Sequence, residues 1–304
     1  MEHLAPEGYT VVRRLGSGTH GCVTLCECLA TRKLVAVKSL PLRDPDGALS
    51  TEVLREASVH KELRHPNVVC LLSYTAERDR MFLILEAMDS DLAIHCRGVR
   101  EGRGFDPMGT KILMYQLLRG VGYLHEKGIV HRDLTPRNVL LKYSAHRMQL
   151  KLADYGLSRS VALPCRVLTP QVVTLWYRAP EVLLGSTTYS EKVDIWSVGC
   201  IFAEMATGRP IFPGTSEIEQ LQLIFRELGT PPNLNATFGL GRAAPEFPRF
   251  QAQRRFPAQN LNAPGVDLLW RLLCLAPKDR VSCGEALRHP YFAGLSPCQR
   301  NGWR

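Results

Sequence analysis

The spacing of apolar residues changes near residue 90 of this 304-residue chain. Before that point, short β-rich runs cover Tyr9–Leu15, Leu34–Val37 and Met81–Leu85, and these runs predict strands. Residues 50–63 have apolar side chains at helical spacing and begin with two hydroxyl residues that can cap a helix. The first part of the chain is therefore predicted to be β-rich with one main helix.

The rest of the chain has mostly helical spacing. Lys111–Leu124 and Val193–Thr207 predict helices, and Gly208 and Pro210 are expected to end the second one. Residues 231–265 are rich in proline, asparagine and arginine, and they predict an irregular surface segment. Together the two patterns predict an α+β protein with a small β-rich lobe, a hinge near residues 86–89 and a larger helical lobe.

The chain carries a formal net charge of +9 and ten cysteines. Such a charge can indicate a nucleic-acid partner or another acidic partner. The basic residues are scattered, however, so we interpret the charge as a solvated surface and expect no nucleic-acid partner. No stretch is long and apolar enough to span a bilayer, and residues 1–10 lack signal-peptide character. We expect no membrane association, a location in the cytoplasm or nucleus, and reduced cysteines without zinc.

A glycine-rich segment, Gly16-Ser17-Gly18-Thr19-His20-Gly21-Cys22-Val23, fits the pattern G-x-G-x-x-G-x-V. Glycines let backbone N–H groups approach phosphates closely. A dinucleotide-binding turn has a similar pattern but needs a helix directly after it. Here Val23–Cys28 continues as a predicted strand, which favours a hairpin over phosphates.

A lysine, Lys38, ends the apolar strand Val35-Ala36-Val37. Such a lysine is often only a surface residue with a buried stem. Its position after the glycine segment favours contact with the α- and β-phosphates of a nucleotide. Glu56, on the predicted helix, is our choice for the anion that holds this lysine in place.

The most informative stretch runs from His131 to Asn138, with the sequence HRDLTPRN. Asp133 lies five residues before Asn138, so a base can lie beside an attacking hydroxyl and an amide oxygen on Mg²⁺. Asp154-Tyr155-Gly156 follows a predicted strand and offers a second magnesium ligand. The order and spacing of these segments match the protein-kinase signature set.

From Tyr9 to about Phe292 the chain resembles the eukaryotic protein kinases, and within them the cyclin-dependent kinases of the CMGC group, as a divergent member. The resemblance rests on Arg55-Glu56 in a variant PSTAIRE helix, on Val172–Glu181 (VVTLWYRAPE), and on further motifs. These are His65-Pro66-Asn67, Asp194-Ile195-Trp196-Ser197, Phe212-Pro213-Gly214 and Leu228-Gly229-Thr230. It implies a bilobal kinase domain over 9–292, divided into 9–88 and 89–292, with a tail over 293–304.

The resemblance implies a role for each matching residue. Asp133 would be the catalytic base, and Asn138 and Asp154 would bind Mg²⁺. Thr174 would bind Asp133, as in serine/threonine kinases. The expected ATP-binding residues are Leu15, Gly16, Ser17, Gly18, Thr19, His20, Gly21, Cys22, Val23, Lys38, Glu86, Met88 and Leu140.

The resemblance also implies regulation through the activation segment. Thr169 would be phosphorylated, and Arg55, Arg132 and Arg159 would bind its phosphate. Glu181 would pair with Arg280 beneath the segment. A cyclin partner, ATP and Mg²⁺ as cofactors, and substrates with proline after the phosphorylated serine or threonine are further expectations. Val172, Val173 and Arg178 would favour that proline.

The chain departs from the family pattern at several positions. Thr135 stands where HRDLKPxN has lysine, and Ala276 stands where a late D-P-x-x-R pattern has aspartate. Arg137 is our hypothesis for the replacement of the lysine charge at the γ-phosphate. Tyr155 replaces the phenylalanine of DFG, and His20 replaces an inhibitory tyrosine.

Two alternatives compete with a cyclin-dependent kinase. Thr135 is the best argument for a pseudokinase that binds cyclin as a scaffold. The argument against it is the presence of Lys38, Glu56, Asp133, Asn138 and Asp154. A mitogen-activated kinase would have a T-x-Y pair in the activation segment, whereas here Thr169 is followed by Pro170 and Gln171, so we reject that class.

Overall fold

A computed structural model of the chain describes residues 4–18, 21–43, 49–98, 104–145, 147–154, 159–160, 172–186, 190–240, 245–255 and 261–301. Within these ranges the backbone alone is described for residues 51–52, 54–56, 59, 97–98, 159–160 and 172–174. The chain forms two compact units. The first comprises the described residues up to Asp89 together with Ala153 and Asp154, and the second comprises the remainder.

The first unit contains a five-stranded antiparallel sheet and one helix. Its elements are β1 (Tyr9–Gly18), β2 (Gly21–Cys28), β3 (Leu34–Pro41), α1 (Thr51–Glu62), β4 (Leu71–Glu77) and β5 (Arg80–Glu86). The strand order is β1-β2-β3-β5-β4. The inner strands β3 and β5 are buried along almost their whole length, because they are apolar on both faces.

Helix α1 begins and ends as its sequence predicts. The Ser50 side chain accepts a hydrogen bond from the Val53 amide, which satisfies one of the free N–H groups of the first turn. Val53, Ala57 and His60 are buried at spacings of four and three residues. The apolar periodicity of the segment therefore gives one packed face, and this face includes a histidine.

The second unit is larger and mostly helical. It contains β6 (Ser90–Asp91), α2 (Leu92–Gly98), α3 (Pro107–Glu126), β7 (Ile129–Val130), β8 (Val139–Ser144), β9 (Arg147–Leu152), β10 (Arg159–Ser160), α4 (Pro180–Leu183), α5 (Lys192–Thr207), α6 (Glu217–Leu228), α7 (Leu234–Phe238), α8 (Ala263–Leu272), α9 (Cys283–Leu287) and α10 (Pro297–Arg300). Strands β6, β8 and β9 form one small sheet, and β7 pairs with β10.

Helices α3 and α5 form the centre of the second unit. Asp106 caps α3 through the amides of Met108 and Gly109. Every residue of α5 from 193 to 206 is buried, so α5 is surrounded by protein on all sides. It ends at Gly208, whose φ of +72° favours glycine.

The predicted α+β architecture is confirmed, with a β-rich first part and a helical second part. The prediction that residues 231–265 are irregular is partly wrong. Asn233 caps α7, and Asn262 caps the start of α8. Asparagine is favoured at helix N-caps as well as in loops, so composition alone was misleading. Among the described residues, no helix combines the length and the apolar character that crossing a membrane requires.

The C-terminal segment after residue 292 packs against the second unit. Leu295 is buried, and Ser296 begins α10 with a reciprocal capping box. Arg119 of α3 donates from Nη1 to Oδ1 of Asn301 at 2.9 Å, and Arg147 donates from Nε to the Asn301 carbonyl at 2.9 Å. Residues 293–301 are therefore a structured part of this unit.

Candidate active site

The glycine-rich segment forms the predicted hairpin. β1 pairs with β2 in a register that places Gly18 opposite Gly21, and the chain continues as a strand. Gly21 has a φ of +115°, and a Cβ atom there would lie 2.2 Å from the Ser39 carbonyl oxygen. Only glycine fits this position. Thr19 and His20 lie outside the described residues.

The flanking positions of the segment are described. Leu15, Gly16 and Ser17 belong to β1, and Cys22 and Val23 belong to β2. Val23 lies opposite Lys38 of β3 in the antiparallel ladder. The sheet therefore brings the predicted phosphate-binding lysine next to the strand that follows the glycines.

Lys38 donates a hydrogen bond from Nζ to Oδ1 of Asp154 at 2.8 Å. The lysine side chain is 7% exposed, whereas that of Asp154 is 46% exposed. Asp154 has a left-handed backbone, with a φ of +61°. The structure thus brings together two predicted site residues that are 116 positions apart. The Glu56 side chain, our predicted partner of Lys38, is not among those described.

A buried histidine lies in the electrostatic field of this pair. His60 of α1 is 2% exposed, and burial together with the charge on Lys38 lowers its pKa to about 4, although Asp154 opposes the shift. The imidazole is therefore neutral at physiological pH. His60 is not among the site residues predicted from the sequence, although a histidine at an apolar position of α1 was a visible signal.

The end of β5 is fixed by a two-way contact with Cys70. The Glu86 amide donates to the Cys70 carbonyl at 3.1 Å, and the Cys70 amide donates to the Glu86 carboxylate at 2.7 Å. Both bonds hold the start of the predicted hinge. Met88 follows within the same unit, whereas Leu140 lies on β8 in the second unit, opposite Lys151.

The predicted catalytic loop is held by its own residues. Asn138 donates from Nδ2 to the Asp133 carbonyl at 2.7 Å and to Asp133 Oδ2 at 3.2 Å. Leu134 and Pro136 are buried and anchor the loop between these two residues. The structure therefore joins Asp133 and Asn138 by hydrogen bonds that the sequence did not predict, and these bonds fix the direction of the aspartate side chain.

A buried carboxylate, Asp194, supports the loop from beneath. It accepts hydrogen bonds from the His131 amide at 2.8 Å and from the Arg132 amide at 2.9 Å. His125 Nε2 lies 2.9 Å from the same side chain. Arg132 has a φ of +70°, a conformation that non-glycine residues rarely adopt. These bonds hold the strained turn directly before Asp133.

Asp194 stays ionised although it is fully buried. Burial by itself would raise its pKa, but the hydrogen bond and charge of His125, the charge of His131 and the Arg132 amide outweigh it, so the pKa lies below its usual value. In the sequence Asp194 is recognisable only as part of a family motif. Its contacts with the loop span more than sixty positions, so local spacing could not show them.

Thr135, which departs from the family pattern, and Arg137, which we expect to replace the lost charge, have different environments. The Thr135 side chain, in the position of the family lysine, is buried. Arg137 is exposed, and no ion pair joins it to a carboxylate within the described ranges. The exposed guanidinium is thus available to an anion, as our hypothesis for Arg137 requires.

The predicted support of the activation segment is present. Arg280 donates from Nη1 and Nη2 to the two carboxylate oxygens of Glu181 at 2.6 and 2.7 Å, and the pair is buried. Arg280 also donates to the carbonyls of Cys274, Leu275 and Lys192. Every donor direction of the guanidinium is thus engaged, which a buried charge requires.

Other residues predicted for this segment are not described. Thr169 lies outside the described residues, and so do the side chains of Arg55, Arg159, Thr174, Val172 and Val173. Arg178 lies 3.7 Å from Glu217 of α6, and Trp176 donates from Nε1 to the Gly214 carbonyl at 2.9 Å. The described end of the segment is therefore attached to the start of α6.

The fold and the loop geometry are those of a protein kinase. A sequence model of the family described as the protein kinase domain matches residues 9–292. The chain therefore belongs to the protein kinase family. Members of this family generally bind ATP with Mg²⁺, and the oxygen donors of Asp154 and Asn138 suit a hard cation that is also held by substrate phosphates. Within the described ranges, no cluster of three or more histidine, cysteine or acidic residues could hold a metal by itself.

Proposed function

We propose that the chain is a serine/threonine protein kinase of the cyclin-dependent type, which transfers the γ-phosphate of Mg-ATP to substrates with proline after the acceptor. The observation that carries this proposal is the Asp133–Asn138 pair in a loop that Asp194 anchors. A protein that only binds nucleotide does not need a carboxylate oriented in this way.

In the proposed reaction, Asp133 orients the substrate hydroxyl and accepts its proton as the oxygen attacks phosphorus. The bond from phosphorus to the bridging oxygen of ADP breaks, and ADP leaves. Asn138 holds the Asp133 carboxylate in place. Because the anchored loop positions Asp133 without a ligand, little reorganisation is needed at the moment of reaction.

The remaining residues bind and orient the nucleotide. Asp154 and Asn138 would hold Mg²⁺, which neutralises charge on the phosphates. Lys38 would contact the α- and β-phosphates, and the backbone of the glycine hairpin would lie along them. Arg137 would contribute charge toward the γ-phosphate in place of the lysine that Thr135 replaces. A positive charge at that place stabilises the transition state.

Regulation by cyclin and by phosphorylation of Thr169 is part of the proposal. The variant PSTAIRE helix, here α1, supports a cyclin partner that would favour pairing of Glu56 with Lys38. A phosphate on Thr169 would add close to two negative charges for Arg55, Arg132 and Arg159. The motif around Arg178 supports the preference for proline. A location in the nucleus or cytoplasm, with a role in the cell cycle, fits this class.

Thr135 favours a second candidate, a pseudokinase that binds cyclin as a scaffold. The test is transfer of labelled γ-phosphate from Mg-ATP to histone and to paired Ser-Pro and Ser-Ala peptides, with each of a panel of cyclins. We expect turnover that needs a cyclin, prefers the Ser-Pro peptide and falls in Thr169→Ala. Nucleotide binding without turnover under every cyclin would support the scaffold instead.

A variant pair tests the replacement charge. Arg137→Gln should lower kcat by on the order of 10²-fold, because a charge contact in the transition state is lost. Thr135→Lys in the same chain should restore much of the rate. An unchanged kcat in Arg137→Gln would show that the exposed arginine has no part in transfer.

A further inference from the structure

A cavity of about 430 Å³ lies in the second unit, between the end of α6, the segment 228–232, the segment 250–254 and the end of α8. We call it the α6–α8 cavity. Cavities that bind drug-sized ligands or anchoring side chains start at about 300 Å³. Nothing in the proposed phosphoryl transfer uses this cavity, because neither its walls nor its rim include the residues of that site.

The walls of the cavity are mostly apolar. Leu228, Pro231 and Leu275 contribute aliphatic surface, and Phe250 and Trp270 contribute partly buried aromatic rings. An apolar side chain can fill such a space without loss of hydrogen bonds. The lining contains few polar side chains, Thr230, Thr237 and Arg254, so the walls favour an apolar protein side chain over a nucleic-acid base.

The rim of the cavity carries four exposed arginines. Arg226 lies over the Phe250 ring at 5.6 Å, and Arg249 donates to the Pro231 carbonyl at 3.0 Å. The Arg254 amide donates to the Glu227 carbonyl at 3.0 Å, and Arg255 follows it. Arg254 itself lines the cavity, Arg226 and Arg249 contact the wall residues Phe250 and Pro231, and Arg255 is the chain neighbour of Arg254.

The charge of the rim is not neutralised by the protein. Within the described part of the chain, none of the four guanidinium groups forms an ion pair with a carboxylate. Residues 226–255 contain five arginines and two acids, Glu227 and Glu246, and the other acids of α6 and α8 are Glu217, Glu219 and Asp267. The rim therefore attracts anions, and an anionic ligand would find guanidinium groups that have no carboxylate partner in the described part of the chain.

One wall residue of the cavity is neutral at a position where the family pattern has a negative charge. Ala276 lines the cavity at a place where the D-P-x-x-R pattern of the sequence analysis has aspartate. A carboxylate at this position would repel an anion near the rim, and alanine does not. The backbone of Arg254 adds a second feature, because its φ of +46° is rare for an arginine and such strain is commonest where ligands bind.

We propose that the α6–α8 cavity is a docking site for an acidic peptide segment of a protein partner, with one apolar side chain in the cavity and acidic residues on the arginine rim. The apolar walls select the anchor, and the unpaired arginines select the sign of the flanking charge. The site is independent of nucleotide and of turnover, so it can be tested whether or not the kinase proposal holds.

The probe is a fluorescein-labelled nine-residue peptide with a central tryptophan between glutamates, measured by fluorescence anisotropy with the full chain at low salt. We expect it to bind at least tenfold more tightly than the same peptide with alanine at the centre or with glutamines in place of glutamates. Its affinity should fall as salt is added, because the contacts are between exposed charges.

Variants of the chain separate the two parts of the site. Arg254→Glu with Arg255→Glu should weaken binding at least tenfold, whereas Arg209→Glu with Arg288→Glu, an equal charge change on other exposed arginines, should not. Ala276→Asp should weaken binding more than Ala276→Asn, which has the same shape without the charge. Circular dichroism of each variant confirms that it is folded.

Three results would overturn the proposal. The first is equal binding of the glutamate and glutamine peptides, and the second is equal loss in the rim variant and its charge-matched control. The third is a nine-residue thymidine oligonucleotide that binds as tightly as the acidic peptide, because this would identify the rim as a nucleic-acid surface.

Discussion

Two residues with left-handed backbones, Arg132 and Asp154, differ in the contacts that hold them and in their exposure to solvent. Their φ angles are +70° and +61°, and for a non-glycine residue each costs on the order of 1–2 kcal/mol. Arg132 is fixed by the buried Asp194, which also binds the amide of His131. Asp154 has Lys38 as its described partner, and nearly half of its side chain is exposed.

This difference corresponds to two kinds of task. In the proposed function the turn at Arg132 would place Asp133 for every substrate, and the bonds to Asp194 hold this turn. In the proposed function the carboxylate of Asp154 needs access to solvent, because a cation would have to reach it and share it with phosphates. We infer that the catalytic loop is set before ligands bind, whereas the Asp154 turn is completed by them.

The largest expected effect comes from Asp133→Asn, which keeps both turns but removes the base. Phosphoryl transfer should fall by at least about 10²–10⁴-fold, because a general base typically contributes that much. ATP binding should survive, since no predicted nucleotide contact is changed. Single-turnover kinetics and nucleotide titration measure the two quantities, and turnover at the wild-type rate would refute the assignment of Asp133.

Asp194→Asn should break the fixed turn. The amide side chain is neutral and cannot accept from both backbone amides and from His125 as the carboxylate does, so kcat should fall by on the order of 10²-fold. Because the remaining donors are buried, the free energy of unfolding should also fall by about 3 kcal/mol. Urea denaturation measures the second effect. Unchanged stability would mean that the turn does not depend on this carboxylate.

Lys38→Met, unlike Asp194→Asn, should lower activity while leaving the stability of the fold nearly unchanged. Methionine replaces a buried stem of similar length, and the exposed part of Asp154 stays solvated, so stability should change by less than about 1 kcal/mol. Activity should fall by on the order of 10²-fold through loss of the phosphate contact. A drop in stability as large as that of Asp194→Asn would remove the distinction between the two turns.

The smallest effect on activity is expected for His60→Leu, which instead changes the response of stability to pH. The folded-state pKa of about 4 lies below the ordinary value of 6.5, so the unfolded chain binds a proton first as pH falls. Stability should therefore be fully present above about pH 6.5 and decline toward pH 4, by on the order of 3 kcal/mol from this group. His60→Leu should lack that part of the decline. Equal pH profiles of the two proteins in urea denaturation would exclude a buried neutral histidine.

Much of the fold was predictable because local patterns decide it. The strand pattern around Lys38 and the helical spacing of residues 193–207 needed only nearest neighbours. Asp133 and Asn138 were found because their motif is contiguous. The Glu181–Arg280 pair, 99 positions apart, was expected only through the resemblance and is confirmed.

The contacts that hold the site were less predictable. Asp194 reaches the Arg132 amide from 62 positions away, and nothing in its local spacing indicates the destination of its side chain. His60 lies on the apolar face of α1, but the sequence does not show that its imidazole is fully buried. Sequence patterns thus identify candidate catalytic and ligand-binding residues more readily than they identify the residues that position them.

The attachment of Asn301 constrains the order of events during synthesis. Its partner Arg119 is made 182 positions earlier. At typical translation rates of about 5–20 residues per second, α3 waits roughly 9–36 seconds for this contact. Throughout that interval the Tyr115 ring lacks its contact with Arg300, which later lies over the ring at a distance of 5.6 Å. A nascent chain stalled before residue 293 should therefore remain a chaperone client, even though every motif of its catalytic loop has already left the ribosome.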